Sequence, residues 1–117
     1  MNLLIVLNRT ASEGVQGDVA WNALRLAQTS MAKGLGVRLF LINAGVELAR
    51  EDQPIWEGID LAKMLREILA KGAEVKMCST CLDWHQVPKD RLIEGAQVAG
   101  MTDLVNWISD SDRVISF

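Results

Sequence analysis

The sequence predicts an α/β fold in which a mostly parallel sheet is covered by helices on both faces. Short continuous apolar runs alternate along the chain with segments whose apolar residues recur at helical spacing, a pattern typical of strands joined by crossover helices. The chain has 117 residues, enough for one domain and too few for two, so we expect residues 1–117 to form a single domain. Half of the residues are apolar, which allows a core without disulfides or a structural metal.

The first third of the chain predicts a strand, a helix and a second strand. Residues 2–7 are a continuous apolar run, too short for a helix and typical of a strand buried on both faces. The helix is expected to begin with Asp18 as its N-cap and to end at Gly34 in a left-handed turn. Residues 37–42 predict the second buried strand. One apolar stripe marks the helix face that packs on the sheet: Ala20, Ala23, Leu24, Ala27 and Met31.

The rest of the chain repeats this alternation. Residues 61–69 predict a second helix that ends at Gly72, and residues 74–77 predict a short third strand. Residues 104–108 indicate a last helix, and residues 113–117 a last strand. The sequence therefore places strands and helices in the order that a parallel sheet requires.

Two connections are longer than this fold needs, and both follow strands. They are residues 8–17 and residues 43–58. Cys78 also comes directly after a predicted strand, the third. Because ligands of open α/β sheets bind at the carboxyl ends of the strands, we expect these segments to meet at the functional edge of the sheet.

Composition and charge exclude several classes of function. The net charge of -3 gives no electrostatic reason to bind nucleic acid or an anionic membrane. The apolar runs are much shorter than the roughly 20 residues of a membrane helix, and the N-terminus lacks the pattern of a signal peptide. We therefore expect a cytoplasmic protein with reduced cysteines. Residues 12–17 match neither the dinucleotide fingerprint nor the P-loop, so no cofactor is expected.

The motif with potentially reactive side chains is Cys78-Ser79-Thr80-Cys81, a C-x-x-C sequence. This spacing brings two sulfur atoms into one turn, close enough for a disulfide or a shared metal. A loop that leaves a strand and enters a helical turn also offers free backbone N–H groups, which stabilise a thiolate, the reactive form of cysteine.

Three interpretations of the cysteine pair compete. Both residues could be small buried hydrophobes. With His85 they could form a metal site, Cys78, Cys81 and His85, which Asp83 or another chain would have to complete because a closed zinc site needs four ligands. The residues favour the third interpretation, thiol chemistry with one cysteine as nucleophile and the other as resolving partner.

Several segments, in order, are similar to those of a known family. They are residues 21–27 in the first helix, 75–81 around the third strand, 92–96, 101–107 and 112–115. With these segments the chain resembles the DsrE/DsrF-like family and, within it, the small stand-alone YchN-like proteins.

This resemblance implies a three-layer α/β/α domain with a mostly parallel five-stranded sheet, assembled into a homo-oligomer, a trimer or hexamer. It also implies a sulfur relay, in which Cys78 carries sulfur as a persulfide between donor and acceptor proteins, with Cys81 as second cysteine. The family often has an Arg-Gly pair where this chain has His85 and Gln86. Histidine supports an anionic sulfur only when it is protonated.

Other residues of the rim are candidates for auxiliary roles. Ser79 and Thr80 lie between the cysteines, and His85 is a candidate base or ligand, although such a residue is more often a packed surface histidine. Trp56 and Trp84 lie in rim loops and are expected to form pocket or interface walls. The alternative to sulfur transfer is a non-catalytic oligomeric module that binds a small ligand or metal, or senses redox state through its cysteines.

Overall fold

The computed structural model describes residues 1–9, 17–55 and 57–117, which form a parallel sheet and the helices packed on it. The strands are β1 (Asn2–Leu7), β2 (Gly36–Leu41), β3 (Glu74–Cys78), β4 (Gln97–Ala99) and β5 (Arg113–Ser116). The α-helices are α1 (Gly17–Ala32), α2 (Leu61–Ala70), α3 (Ser79–Trp84) and α4 (Met101–Asp110). Two 3-10 helices cover Asn43–Ala49 and Lys89–Arg91.

All five strands are parallel and lie in the order β4-β3-β2-β1-β5. From β1 to β4 the chain moves steadily toward one edge, so right-handed crossovers place α1, α2 and α3 on one face. The connection from β4 to β5 runs back across the whole sheet and places α4 on the opposite face. The three-layer α/β/α architecture expected from the sequence is confirmed.

Trp107 anchors α4 to its face of the sheet. Its ring packs edge-on against Phe40 of β2, with ring centroids 6.2 Å apart and an interplanar angle of 83°. The charged groups of Arg38 and Lys76 lie 5.6 Å and 4.6 Å from the centre of the same ring. These three partners belong to alternating positions of neighbouring strands, so they lie on one face of the sheet. One buried tryptophan therefore connects α4 to both β2 and β3.

The helix ends follow the sequence prediction in most respects. Gly34 and Gly72 have φ angles of +89° and +103°, the left-handed conformation that ends a helix. The prediction for Asp18 is wrong. The first helix begins at Gly17, so Asp18 lies within its first turn, where a carboxylate interacts favourably with the helix dipole, and the N-cap falls outside the described residues.

The structure contains two elements that the sequence did not predict, a 3-10 helix and the strand β4. The long segment after β2 begins with the 3-10 helix Asn43–Ala49, in which Val46 and Leu48 are buried. A Cβ atom at Gly45 would clash with the carbonyl group of Leu7, so only glycine allows this helix to lie against the end of β1. The sequence analysis also missed β4, whose three residues are too few to show a period. The other long connection falls largely outside the described residues.

The described helices include none that is long and apolar enough to cross a membrane.

Candidate functional site

The cysteine pair lies where β3 ends and α3 begins. The side chains of Val75 and Met77 are buried and anchor β3 in the core. Cys78 is the last residue of that strand and pairs with Ala99 of β4. Cys78 also precedes the first turn of α3, which is held against the core by the buried side chain of Leu82. The motif therefore lies at the carboxyl edge of the sheet, as the sequence predicts.

The two sulfur atoms have different environments. Cys78 is buried, with 8% of its surface exposed, and its Sγ accepts a hydrogen bond from the backbone N–H of Cys81 at 3.4 Å. Cys81 is half-buried, and its Sγ accepts a hydrogen bond from the backbone N–H of Asn43 at 3.2 Å. Neither cysteine forms a disulfide. One sulfur of the pair is therefore sheltered, and the other is more open.

Asn43 reaches Cys81 because of an unusual backbone conformation. Its φ angle is +53°, in the left-handed region that asparagine tolerates better than most residues. Asn43 lies two residues after the end of β2 and begins the 3-10 helix that packs against Leu7. The sheet thus brings together a backbone donor and a thiol that are 38 residues apart in the sequence.

Burial raises the pKa of the Cys81 thiol above its ordinary value, and a hydrogen bond with the Cys78 side chain raises it further. The Asn43 N–H acts in the opposite direction but is outweighed. Near neutral pH, Cys81 is therefore mostly protonated, and its S–H group is available as a donor to the neighbouring sulfur.

A cavity of about 270 Å³ opens beside the pair. It is lined by Asn43, Thr80, Cys81, Trp84 and His85. The exposed fraction of Trp84 is 84%, so its indole forms a projecting wall rather than part of the core. Cys81 therefore lines the opening, whereas Cys78 is almost fully buried.

A second, larger cavity of about 670 Å³ lies at the opposite edge of the sheet, where β3 and β4 begin. Its walls include Arg66, Glu74 and Glu94 and contain no cysteine or histidine. We place the candidate site at the smaller cavity because the reactive groups lie there.

The structure adds a cation that the sequence analysis did not identify. The Lys89 ammonium donates to Ser79 Oγ at 3.2 Å and lies 3.5 Å from the Asp83 carboxylate. Lys89 is in a 3-10 helix that folds back toward α3. A basic residue eight positions after a C-x-x-C motif matches no known pattern, so sequence reasoning had no signal for it.

The structure places most of the predicted auxiliary residues around the pair. Thr80, Trp84 and His85 line the cavity, and Ser79 contacts Lys89. Trp56 lies outside the described residues. Across residues 1–9, 17–55 and 57–117, no three His, Cys, Asp or Glu side chains are grouped so that they could hold a metal ion, so Cys78, Cys81 and His85 are not assembled as a ligand set.

The pattern of the DsrE/DsrF-like family matches residues 3–117, nearly the whole chain. The chain belongs to this family. The resemblance proposed from the sequence is therefore confirmed, and the five-stranded parallel sheet agrees with it.

Archaeal and bacterial proteins are similar to this chain over most of their length. The protein MK0008 of Methanopyrus kandleri is 38% identical over 113 residues, covering 96% of this chain and 93% of the relative. The Escherichia coli protein YchN is 29% identical over 119 residues and covers both chains fully. The crystal structure of E. coli YchN superimposes with a TM-score of 0.83 at 30% identity, with full coverage of both chains. MTH1491 of Methanobacterium thermoautotrophicum has a TM-score of 0.77 at 17% identity, covering 99% of this chain and 98% of the other, and shows the fold alone.

Proposed function

We propose that this DsrE/DsrF-like protein takes part in sulfur relay and carries sulfur as a persulfide on Cys78, with Cys81 as partner thiol. One observation supports this most directly: two thiols that each accept a backbone hydrogen bond lie together at the carboxyl edge of the sheet, and one of them borders an open cavity. Family membership supports the same chemistry.

Loading is a transfer of sulfane sulfur from a donor persulfide. The Cys78 thiolate attacks the outer sulfur of R–S–SH, a new S–S bond forms on Cys78, and R–S⁻ leaves and takes a proton. The products are Cys78–S–SH and R–SH, so no net oxidant or reductant is needed. Delivery to an acceptor thiol is the same step in reverse.

The burial of Cys78 suits a carrier. A persulfide is anionic near neutral pH and reacts readily with other thiols. It therefore needs a site that excludes free thiols in solution but admits a specific partner. Only 8% of Cys78 is exposed, whereas its neighbour Cys81 borders the cavity. We assign this cavity, beside the partner thiol, as the entry site for a donor or acceptor.

Trp84 is the candidate contact for donor and acceptor proteins. Exposed tryptophans are rare on surfaces without partners and common at the centres of interfaces. Trp84 is 84% exposed and stands beside Cys81. A protein that covered this indole would bring its own thiol to the cavity.

A homo-oligomer, trimer or hexamer, is part of the same proposal. Met101, Val105 and Ile108 lie at helical spacing on α4 and are 58%, 56% and 47% exposed. They extend the apolar surface of this helix beyond the side that packs on the sheet. Such a stripe is typical of a helix that a further subunit covers.

The test of sulfur loading uses glutathione persulfide as the donor and intact-protein mass spectrometry as the measurement. The reduced wild-type protein is expected to gain the mass of one sulfur atom, and peptide mapping is expected to place that atom on Cys78. A Cys78→Ser variant that gains sulfur as well as the wild type would overturn the assignment.

A further inference from the structure

We infer that Cys81 discharges the persulfide of Cys78 as hydrogen sulfide, forming a Cys78–Cys81 disulfide, whenever no acceptor occupies the cavity. This inference rests on the proposed persulfide at Cys78 and concerns its fate. A simple carrier needs one cysteine, and this site holds a second thiol beside the first.

The contacts of the pair allow the discharge step. The Cys81 backbone N–H donates to Cys78 Sγ at 3.4 Å, so both residues lie in the same turn. Their side chains also share a hydrogen bond, which contributes to the raised pKa of Cys81. The C-x-x-C spacing is compatible with a disulfide in one turn. The attacking thiol is therefore already beside the sulfur that it must reach.

The step balances within the chain. The Cys81 thiolate attacks the inner persulfide sulfur, which is Sγ of Cys78. The bond between the two sulfurs of the persulfide breaks, and HS⁻ leaves with the electron pair and takes up a proton. The sum is Cys78–S–SH plus Cys81–SH giving the disulfide plus hydrogen sulfide. The outer sulfur is reduced and the two cysteine sulfurs are oxidised, so no external oxidant is required.

The cavity decides between delivery and discharge. Cys81 lines the cavity together with Trp84 and His85, so an acceptor that enters the cavity covers the Cys81 thiol. With the cavity empty, Cys81 is the nearest thiol to the persulfide. The raised pKa of Cys81 keeps most of this thiol protonated near neutral pH, which gives an acceptor time to arrive.

The disulfide must be reduced before the site can work again. A dithiol reductant, small or protein-bound, would exchange with the half-exposed Cys81 sulfur first and release both thiols while forming its own disulfide. The cycle would then convert a persulfide and a dithiol into hydrogen sulfide, a thiol and an oxidised dithiol.

The experiment follows one turnover under anaerobic conditions. Reduced protein is loaded with glutathione persulfide, excess donor is removed, and sulfide is measured with a sulfide-selective electrode while intact mass is recorded. The wild type is expected to release one sulfide for each persulfide lost and to end as the disulfide. Cys81→Ser is expected to keep its persulfide and to release sulfide at least tenfold more slowly. Thr29→Ala, an exposed change on α1, serves as the handling control.

The outcomes separate the inference from the proposed function. Equal sulfide release by Cys81→Ser and the wild type would overturn the discharge role, and so would a wild-type persulfide that persists without sulfide release. In both cases sulfur loading on Cys78 still stands. A wild type that never gains sulfur on Cys78 would overturn the proposed function itself.

Discussion

Two strand-to-helix junctions lie side by side at the carboxyl edge of the sheet, and they differ in how the helix begins. At the β3–α3 junction, the cap is a sulfur: Cys78 Sγ accepts the Cys81 N–H at 3.4 Å. At the β4–α4 junction, the Asp103 carboxylate reaches back and accepts the Gly100 N–H at 2.9 Å. The strands are in register, with Cys78 opposite Ala99.

The two caps differ in strength, which indicates that one junction serves stability and the other serves chemistry. Oxygen-bearing side chains are the favoured caps because they accept short hydrogen bonds, and a thiol is a weaker acceptor. Asp103 also lies 3.8 Å from the Lys76 ammonium, so it joins its helix to the sheet. We conclude that the second junction is built for stability, whereas the first has a weaker cap at a position where a thiol is useful.

The largest expected effect is the loss of sulfur loading in Cys78→Ser. Serine is a good N-cap, so the free energy of unfolding is expected to change by no more than about 1 kcal/mol. Loading from glutathione persulfide is expected to disappear. Mass spectrometry and urea unfolding measure the two quantities on the same sample, and loss of the folded state would break the comparison.

Alkylation of Cys81 by iodoacetamide is expected to rise about tenfold per pH unit between pH 7 and 8, because the thiolate reacts and burial raises the pKa of this thiol above its ordinary value. The groups that face this thiol are the Cys78 thiol from β3, the uncharged Asn43 amide and His85 at the end of α3. Peptide mapping separates Cys81 from Cys78. A rate that levels off below pH 8 would contradict the raised pKa.

The exposed apolar stripe of α4 is expected to control the assembly of subunits. Val105→Glu places a charge in the exposed apolar stripe, and we expect it to convert an oligomer into monomers, because burying an unpaired carboxylate is unfavourable. Light scattering coupled to gel filtration measures the mass. Asn106→Glu, an exposed neighbour outside the stripe, is the matched control. If both variants keep the wild-type mass, α4 is not the interface.

Asp103→Ala is expected to lower the free energy of unfolding by about 1 kcal/mol, because the N–H of Gly100 loses its acceptor. Sulfur loading on Cys78 is expected to stay at the wild-type rate. Urea unfolding and mass spectrometry test the pair of outcomes. A loss of loading without a loss of stability would show that the two junctions are coupled chemically.

The smallest expected effect belongs to Lys89→Gln. Its ammonium lies next to Ser79 and Asp83 but is about half exposed, so solvent screens its field at the sulfur. We expect loading to slow by roughly two- to threefold and Lys89→Arg to restore it. Equal sulfur-loading rates for Lys89→Gln and Lys89→Arg would show that the charge of Lys89 does not act on the thiols.

The sequence by itself determined the elements whose signals are local. The apolar period distinguishes strands from helices, and Gly34 and Gly72 mark left-handed turns because they lack a Cβ. The spacing of Cys78 and Cys81 places both in one turn at a strand end. These features depend on residues within a few positions of one another.

The tertiary structure decided which sulfur is sheltered and which is open. The hydrogen-bond donor to Cys81 is Asn43, which follows the neighbouring strand β2. The nearby cation is Lys89, which lies in a separate 3-10 helix after α3. The three-residue β4 exists because it completes the sheet beside β3, since its own residues carry no strand period. Long-range contacts set these features, and no local pattern encodes them.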